Sequence, residues 1–161
     1  MRQRIGLALQ HIQSWIAPEL HDAFTDWCNG VHHREPLTVP GFVSMRRFEL
    51  TPGQDPSAGR YLTLYQLADA DVVDSDANRN RPPTTEPIPA EVAAGLRYIR
   101  TIYRQMSPPE GSWGPAGKMD GEQAIGAATL QILLDVATEA AAELNAWYEE
   151  EHLGDMLSVP G

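Results

Sequence analysis

Alternating apolar and polar residues predict strands in several parts of the chain. In residues 4–12, Ile and Leu recur at every second position up to residue 9, which favours a strand over a helix. Residues 42–50 and 60–68 alternate in the same way on either side of the turn-forming segment TPGQDPSAG at 51–59, which predicts a hairpin. Residues 97–106 fit a helix by spacing and a strand by their content of Tyr, Ile and Thr, so periodicity leaves both open.

Apolar residues at three- and four-residue spacing predict an amphipathic helix between the first two strands. It starts at Pro18, a favourable first helical residue, and ends near residues 30–33. The residues of its apolar stripe are Leu20, Phe24, Trp27, Cys28 and Val31. Residues 69–89 are acidic at first and then rich in Pro, Thr and Asn, which predicts a short helical stretch followed by an irregular loop. Residues 90–96 fit one helical turn.

This order of elements is a split β-α-β pattern, and it predicts an α+β fold with helices on one face of an antiparallel sheet. By their alternation, Tyr61, Tyr65, Phe42 and Phe48 are expected on the opposite face, together with Arg46. That face is too apolar to remain in water, so the sequence predicts that another layer covers it.

The chain repeats its own beginning. Residues 124–161 align without gaps on residues 4–41 at an offset of 120, with 12 identities in 38 positions, whereas ordinary composition gives about two or three by chance. The matches include two rare residue types: Trp27 pairs with Trp147, and His32 pairs with His152. A repeated module is the direct explanation.

Three segments follow from the repeat. Residues 1–106 form a first module, residues 107–123 form a linker rich in Gly and Pro, and residues 124–161 form a partial second module. The partial module is expected to contain a strand at 124–134 and a helix at 139–151. With only about a third of the second module present, either the chain is a fragment of a longer protein or the trailing piece completes another structure.

Composition and charge narrow the class of function. With 12 Lys and Arg against 22 Asp and Glu, the formal charge of −10 disfavours nucleic acid and anionic membrane surfaces as partners. No apolar run approaches the length of about 18 residues that a membrane span needs. The first thirty residues lack the pattern of a secretory signal, and one cysteine, Cys28, cannot form an internal disulfide. These features predict a cytoplasmic protein.

Three stretches carry a resemblance to a known family. They are AFTDWCNGVHHREPLTVPGFVSMRRFEL at 23–50, RYLTLYQLADAD at 60–71 and ELNAWYEEEHLGDMLSVPG at 143–161. They resemble the dimeric α/β-barrel proteins of the ferredoxin-like superfamily, in particular the EthD-like branch. Where the second copy keeps the Tyr and Glu typical of such motifs, the first copy has Cys28 and Val31.

The resemblance implies that two such sheets pack face to face into a barrel, between two chains or between two fused modules. It therefore implies a homodimer whose second sheet supplies the missing cover. It also tips residues 97–106 towards a strand.

By analogy with that fold, the resemblance implies a protein that binds a small apolar or aromatic molecule inside the barrel. The leading hypothesis is a cofactor-free enzyme that moves a proton in a cyclisation, isomerisation or dehydration. His32 is the expected acid or base, with Tyr65 and Arg46 positioning the substrate. The side chains assigned to substrate binding are Tyr61, Phe42, Phe48, Trp27 and His152.

Other interpretations of these residues remain open. His32 and His152 also suit the C-terminal ends of their helices, and Trp27 suits core packing. Arg46 could pair with an acidic residue of the other half of the barrel. The protein as a whole could be a non-catalytic binding or assembly module, whose aromatic sheet face only forms the barrel interface. A redox or oxygenase role, as in other barrels of this superfamily, is a weaker alternative.

No motif predicts a metal or a cofactor. The acidic residues at 69, 71, 74 and 76 lack the Gly and the final Glu of a calcium loop, so they are expected to be the solvated start of a helix. Cys28 is expected to be a buried, inert thiol, and His33 is expected to be exposed.

Overall fold

Four antiparallel strands form one sheet in the computed structural model of the chain, which describes residues 8–106, 129–132 and 134–158. The strands are β1 (Ala8–Trp15), β2 (Phe42–Glu49), β3 (Tyr61–Leu67) and β4 (Arg97–Arg104), and their order in the sheet is β2-β3-β1-β4. The first and third strands thus lie at the centre. This is the ferredoxin-like arrangement, and it confirms the α+β class, the hairpin of β2 with β3 and the strand at 97–104.

The helical segments lie in the two connections that cross between outer and inner strands. Between β1 and β2 the chain forms a 3₁₀ turn (Pro18–Leu20), helix α1 (His21–Trp27), a π-helical turn (Cys28–His32) and a second 3₁₀ turn (Pro36–Thr38). A 3₁₀ turn (Pro56–Ala58) lies in the β2-β3 hairpin. Between β3 and β4 lie a 3₁₀ segment (Ala70–Asp74), helix α2 (Asp76–Arg79) and helix α3 (Ala90–Gly95). The predicted helix and the two short helical stretches are confirmed.

One face of the sheet packs under these helices. Tyr61 and Tyr65 of β3 are 2% and 1% exposed, and they belong to two neighbouring clusters of buried side chains. One cluster joins Tyr65 to Phe42 and to the central strands, while the other joins Tyr61 to Phe24 of α1 and to Val92 of α3. Burial of these apolar surfaces holds the helices on the sheet.

The predicted assignment of residues to the two faces was wrong for Tyr61, Tyr65 and Phe42 and is confirmed for Arg46 and Phe48. Tyr61, Tyr65 and Phe42 lie on the helix-covered face, whereas Arg46 and Phe48 lie on the opposite face, where they pair with Leu64 and Leu62 of β3. A β-bulge between Phe42 and Ser44 inserts one extra residue into β2. Because side chains alternate at every residue, this insertion moves the rest of β2 to the other face relative to Phe42.

The opposite face of the sheet is partly exposed. His11 of β1 is 5% exposed and packs edge-on against Tyr103 of β4, with ring centroids 5.7 Å apart. Tyr103 itself is 41% exposed, and Ile99 on the same face of β4 is 54% exposed.

The chain divides into two compact units, Met1–Gln105 and Met106–Gly161. In the second unit the structure describes a 3₁₀ turn, two helices and a π-helical turn: Thr138–Ala140, α4 (Ala141–Trp147), Tyr148–His152 and α5 (Leu153–Ser158). The first turn, α4 and the π-helical turn each begin and end 120 residues after their counterparts around α1.

Parts of the predicted second module lie outside the described residues. The linker at 107–123 is one, and so is most of the strand predicted at 124–134. Residues 129–132 and 134 of that segment have no regular secondary structure. Among the helices that the structure describes, none has the length and apolar content required to span a bilayer.

Replacement of Gly41 by Ala is expected to destabilise the protein more than the same change at Gly53. Both glycines have positive φ, +98° and +87°, so alanine is strained at either position. A Cβ at Gly41 would lie 2.6 Å from Cγ2 of Val72, whereas a Cβ at Gly53 meets nothing within 4 Å. We expect Gly41→Ala to lower the free energy of unfolding by about 1–2 kcal/mol more than Gly53→Ala, as overpacking does, measured by urea denaturation.

The double variant Gly41→Ala, Val72→Ala removes the overlapping methyl groups and tests this explanation. It should unfold at a higher urea concentration than Gly41→Ala. The single Val72→Ala variant is the control, because it measures the effect of losing the Val72 methyl groups by itself. Equal urea midpoints for the two single glycine variants would contradict the steric explanation.

Candidate functional site

A cavity of about 320 Å³ lies between the helix-covered face of the sheet and the helical segments of the first unit. Its volume is in the range of pockets that hold small molecules. The sheet contributes Gln10, Ile12, Ser14, Phe42, Thr63, Tyr65, Tyr98 and Arg100. The segment around α1 contributes Phe24, Trp27, Cys28, His32, His33 and Pro36, and the β3-β4 connection contributes Asn78, Arg81, Ile88 and Leu96.

The π-helical turn after α1 sets the position of two histidines. The amide of His33 donates to the carbonyl of Cys28 over 3.0 Å, five residues back. This wider turn brings His32 over the indole of Trp27, with ring centroids 4.3 Å apart and planes 14° from parallel. The indole Nε1 of Trp27 in turn donates to the carbonyl of Glu86 over 3.1 Å. Single π-helical turns occur frequently at functional sites.

The second unit repeats this local arrangement. His152 stacks on Trp147 with ring centroids 4.5 Å apart and planes 20° from parallel. The π-helical turn Tyr148–His152 joins the two residues, as Cys28–His32 does in the first unit. The stack is therefore a consequence of the local Trp and His spacing in both units.

His33 is buried, which corrects the expectation that it is exposed. It is 4% exposed, and its ring lies edge-on to Tyr65 with centroids 6.4 Å apart. Nδ1 of His33 is buried and has no hydrogen-bond partner among the described residues. The π-helical turn explains the difference, because it changes the direction of the residues that follow it.

Tyr65 is the most deeply buried phenol of the cavity wall. It is 1% exposed, and its ring packs edge-on against Phe42 with centroids 5.7 Å apart. Its hydroxyl oxygen is buried, again with no hydrogen-bond partner in the described part of the chain. Burial raises the pKa of Tyr65, with a further upward contribution from Cys28, so the phenol stays protonated at neutral pH.

Burial also controls the protonation of the groups around this phenol. It lowers the pKa of His32; the Glu35 carboxylate opposes this shift and the Arg81 guanidinium adds to it. Burial, with His32 and Arg47 nearby, lowers the pKa of His33 to about 3. Burial raises the pKa of the Cys28 thiol to about 11. Both histidines and the thiol are therefore uncharged at neutral pH.

The predicted site residues fall into two groups. His32, Tyr65, Phe42 and Trp27 line the cavity. The others do not: Tyr61 lies beneath α1, Arg46 and Phe48 lie on the opposite face of the sheet, and His152 lies in the second unit. The hydroxyl of Tyr61 hydrogen-bonds Nδ1 of His21, and the Arg47 guanidinium stacks over its ring at 4.2 Å.

Sequence reasoning missed several polar residues of the cavity. Two of them, His33 and Arg81, line the cavity with a titratable ring and a charged guanidinium. Three others are buried polar residues on the sheet: Gln10, Ser14 and Thr63. Polar side chains at the inward positions of a central strand are a usable signal, because such positions are normally apolar. Arg81 has no comparable signal, since it lies in an irregular loop.

The acidic residues after β3 are solvent-exposed, as expected. Asp69 accepts a hydrogen bond from the amide of Asp71 over 3.1 Å, and Asp76 pairs with Arg79 at 3.7 Å. Within the described residues, no group of three or more His, Cys, Asp or Glu side chains could hold a metal ion.

Fold and cavity together define the class of this chain: an α+β protein with a ferredoxin-like sheet and a cavity of small-molecule size under its helices. No protein-family model matches the sequence, and no curated protein matches it. The chain is similar in structure to a conserved protein from Methanosarcina mazei Go1, with 18% identity, a TM-score of 0.40 and coverage of 62% of this chain and 94% of that one. It is also similar to HapK from Hahella chejuensis, with 12% identity, a TM-score of 0.41 and coverage of 66% and 98%.

Proposed function

We propose that the cavity binds a small apolar or aromatic molecule and that the protein moves a proton on this molecule using its own side chains. One observation carries the proposal. Tyr65 Oη and His33 Nδ1 are buried polar atoms on residues that line the same cavity, and neither has a hydrogen-bond partner among the described residues. Because an unpaired buried polar atom costs about 1–3 kcal/mol, a bound molecule that pairs with these atoms gains affinity from them.

The protonation states support separate roles for His32 and Tyr65. His32 is neutral at neutral pH, so its imidazole can accept a proton from a bound molecule. Tyr65 stays protonated, so it can donate a hydrogen bond to an oxygen that becomes negative as that proton leaves. Two groups with pKa values shifted in opposite directions are a recurrent arrangement in proton-transfer sites.

The reaction class that fits these roles is proton abstraction next to a carbonyl group. The C–H proton moves to the His32 imidazole, the C–H electron pair forms the enolate, and Tyr65 hydrogen-bonds the enolate oxygen. Return of the proton to a different atom completes an isomerisation. Attack of the enolate carbon on a second carbonyl, whose oxygen then takes the proton from His32, gives a cyclisation. Departure of a neighbouring hydroxide, which takes the same proton and leaves as water, gives a dehydration.

The proposed chemistry can be tested with 2-tetralone, a bicyclic aromatic ketone with exchangeable protons next to its carbonyl. The native protein in D₂O should speed deuterium incorporation above the buffer rate, as followed by proton NMR. We expect His32→Gln to reduce the protein-dependent rate by about 100-fold, the usual contribution of a general base. Circular dichroism checks that the variant remains folded.

Thr63→Trp is the matched control for the location of the chemistry, because Thr63 lies on the sheet wall of the cavity. It should abolish both binding of 2-tetralone and the exchange. If exchange in the presence of native protein equals the buffer rate, the catalytic proposal is wrong. If His32→Gln retains the native rate, His32 is not the base.

The alternative of an assembly module uses the other face of the sheet. Ile99 and Tyr103 of β4 are exposed on that face, and the sheet lies between them and the cavity. This observation favours a contact between sheets, and it is compatible with a binding function on the helix-covered face. The homodimer implied by the family resemblance stays a prediction.

A further inference from the structure

The cavity differs in charge from the chain as a whole. The chain has a formal charge of −10. None of the described residues that line the cavity is Asp or Glu, whereas Arg81 and Arg100 both line it. A wall with cations and no carboxylate attracts anions by a local field opposite to the net charge.

Arg81 lines the same cavity as His32 and Tyr65. Burial is the larger cause of the pKa shifts of both side chains, and the charge of Arg81 adds a downward contribution to each. Arg81 is half-buried, and it forms no ion pair within 4.0 Å with any carboxylate of the described residues. A half-buried guanidinium without such a pair retains its planar fork of donors for a ligand.

The Glu35 carboxylate interacts electrostatically with Arg81 and is hydrogen-bonded to other residues. The charge of Glu35 opposes the lowering of the His32 pKa by burial. The pKa of Glu35 is itself lowered, mainly by the hydrogen bond from Thr84 and in smaller part by the charge of Arg81. Its carboxylate accepts hydrogen bonds from the hydroxyl of Thr84 and from the amide of Thr85, the latter over 3.0 Å. Its oxygens are thus occupied by the loop that follows Arg81.

We propose that the ligand of the cavity is an aromatic acid and that Arg81 binds its carboxylate. This inference rests on the proposed function and adds the chemical class of the ligand. The apolar walls, which include Phe24 and Phe42, contact the hydrocarbon part of the ligand. The two buried unpaired polar atoms, Tyr65 Oη and His33 Nδ1, belong to residues that line the same cavity as Arg81.

Two probes of nearly equal size separate the charge from the shape of the ligand. We would measure binding of 1-naphthoate and of 1-naphthalenemethanol by isothermal titration calorimetry. The native protein should bind the acid at least about 10-fold more tightly than the alcohol, since hydrogen bonds between charged groups are stronger than those to a neutral hydroxyl. Arg81→Met should weaken binding of the acid by about 10- to 100-fold and leave the alcohol within about 2-fold.

Arg79→Met is the matched control, because Arg79 is exposed, does not line the cavity and carries the same charge two residues away. It should leave the affinity of both probes unchanged, and Arg81→Lys should restore part of the affinity for the acid. Equal affinity of the native protein for acid and alcohol overturns the ligand class and leaves the binding function standing. Absence of binding of both probes counts against the proposed function itself, and the inference falls with it.

Discussion

Tyr65→Phe is expected to make the protein slightly more stable and to remove its proton-transfer activity. The phenol oxygen of Tyr65 is buried and has no hydrogen-bond partner among the described residues. Removing it therefore relieves a desolvation cost of about 1 kcal/mol or more. In the proposed reaction the same hydroxyl stabilises the enolate oxygen, and loss of such a donor lowers the rate by about 100- to 1000-fold.

Two measurements on the same variant check this prediction. Urea denaturation gives the free energy of unfolding, which should equal or exceed that of the native protein. Deuterium exchange of 2-tetralone gives the activity, which should fall to the buffer rate. A group retained for function at a cost in stability produces this opposite pair of effects.

Tyr61→Phe is the matched control on the same strand. The hydroxyl of Tyr61 hydrogen-bonds His21, and the residue does not line the cavity. Its removal should lower the free energy of unfolding by about 1 kcal/mol and leave the exchange rate unchanged. The proposal for Tyr65 is contradicted if Tyr65→Phe destabilises the protein as Tyr61→Phe does and retains its activity.

The order of strands and helices was accessible from the sequence because each element has its own period. The hairpin, the helix after Pro18 and the short helical segments all follow from local spacing and turn residues. The strand at 97–104 did not, because its spacing fitted both structures, and the family resemblance was needed to choose.

The faces of the sheet could not be assigned from alternation alone. Alternation separates residues into two sets, but it does not show which set the helices cover. The prediction for Tyr61 and Tyr65 failed for this reason: both lie under the helices, and their aromatic character suited either layer. The bulge near Phe42 then separated Phe42 from Arg46 and Phe48, and no residue type in that strand predicts a bulge.

The candidate site was accessible only in part for a related reason. His32 and Trp27 recur in the second copy, so sequence comparison within the chain drew attention to both. The burial of His33 depends on a π-helical turn, and the role of Arg81 depends on how an irregular loop folds over the cavity. Both are tertiary effects that local patterns do not encode.

The second large effect is expected in the pH dependence of stability, and it comes from His33. Its pKa is lowered to about 3 in the folded protein, while an unfolded histidine has a pKa of about 6.5. Between these two values the unfolded chain binds the additional proton, so the stability contributed by neutral His33 is complete above pH 6.5 and is lost as the pH falls towards 3.

The expected loss is roughly 4 kcal/mol by pH 3.5, because each pH unit below 6.5 contributes about 1.4 kcal/mol. Other groups titrate in the same range, and the lowered pKa of His32 acts in the same direction. The contribution of His33 is therefore isolated as a difference between the native protein and His33→Leu, measured by urea denaturation at several pH values from 7 to 4. The variant should lose less stability than the native protein over this range.

His152→Gln provides the matched control, because it removes a histidine from the second unit and leaves the cavity intact. Its stability should follow the pH dependence of the native protein. A direct readout is the nitrogen-15 chemical shift of the His33 ring, which should remain that of a neutral imidazole down to pH 4. A His33 ring that gains its proton near pH 6.5 would show that His33 is solvated in the folded state, and it would remove the unpaired Nδ1 from the grounds for a ligand in the cavity.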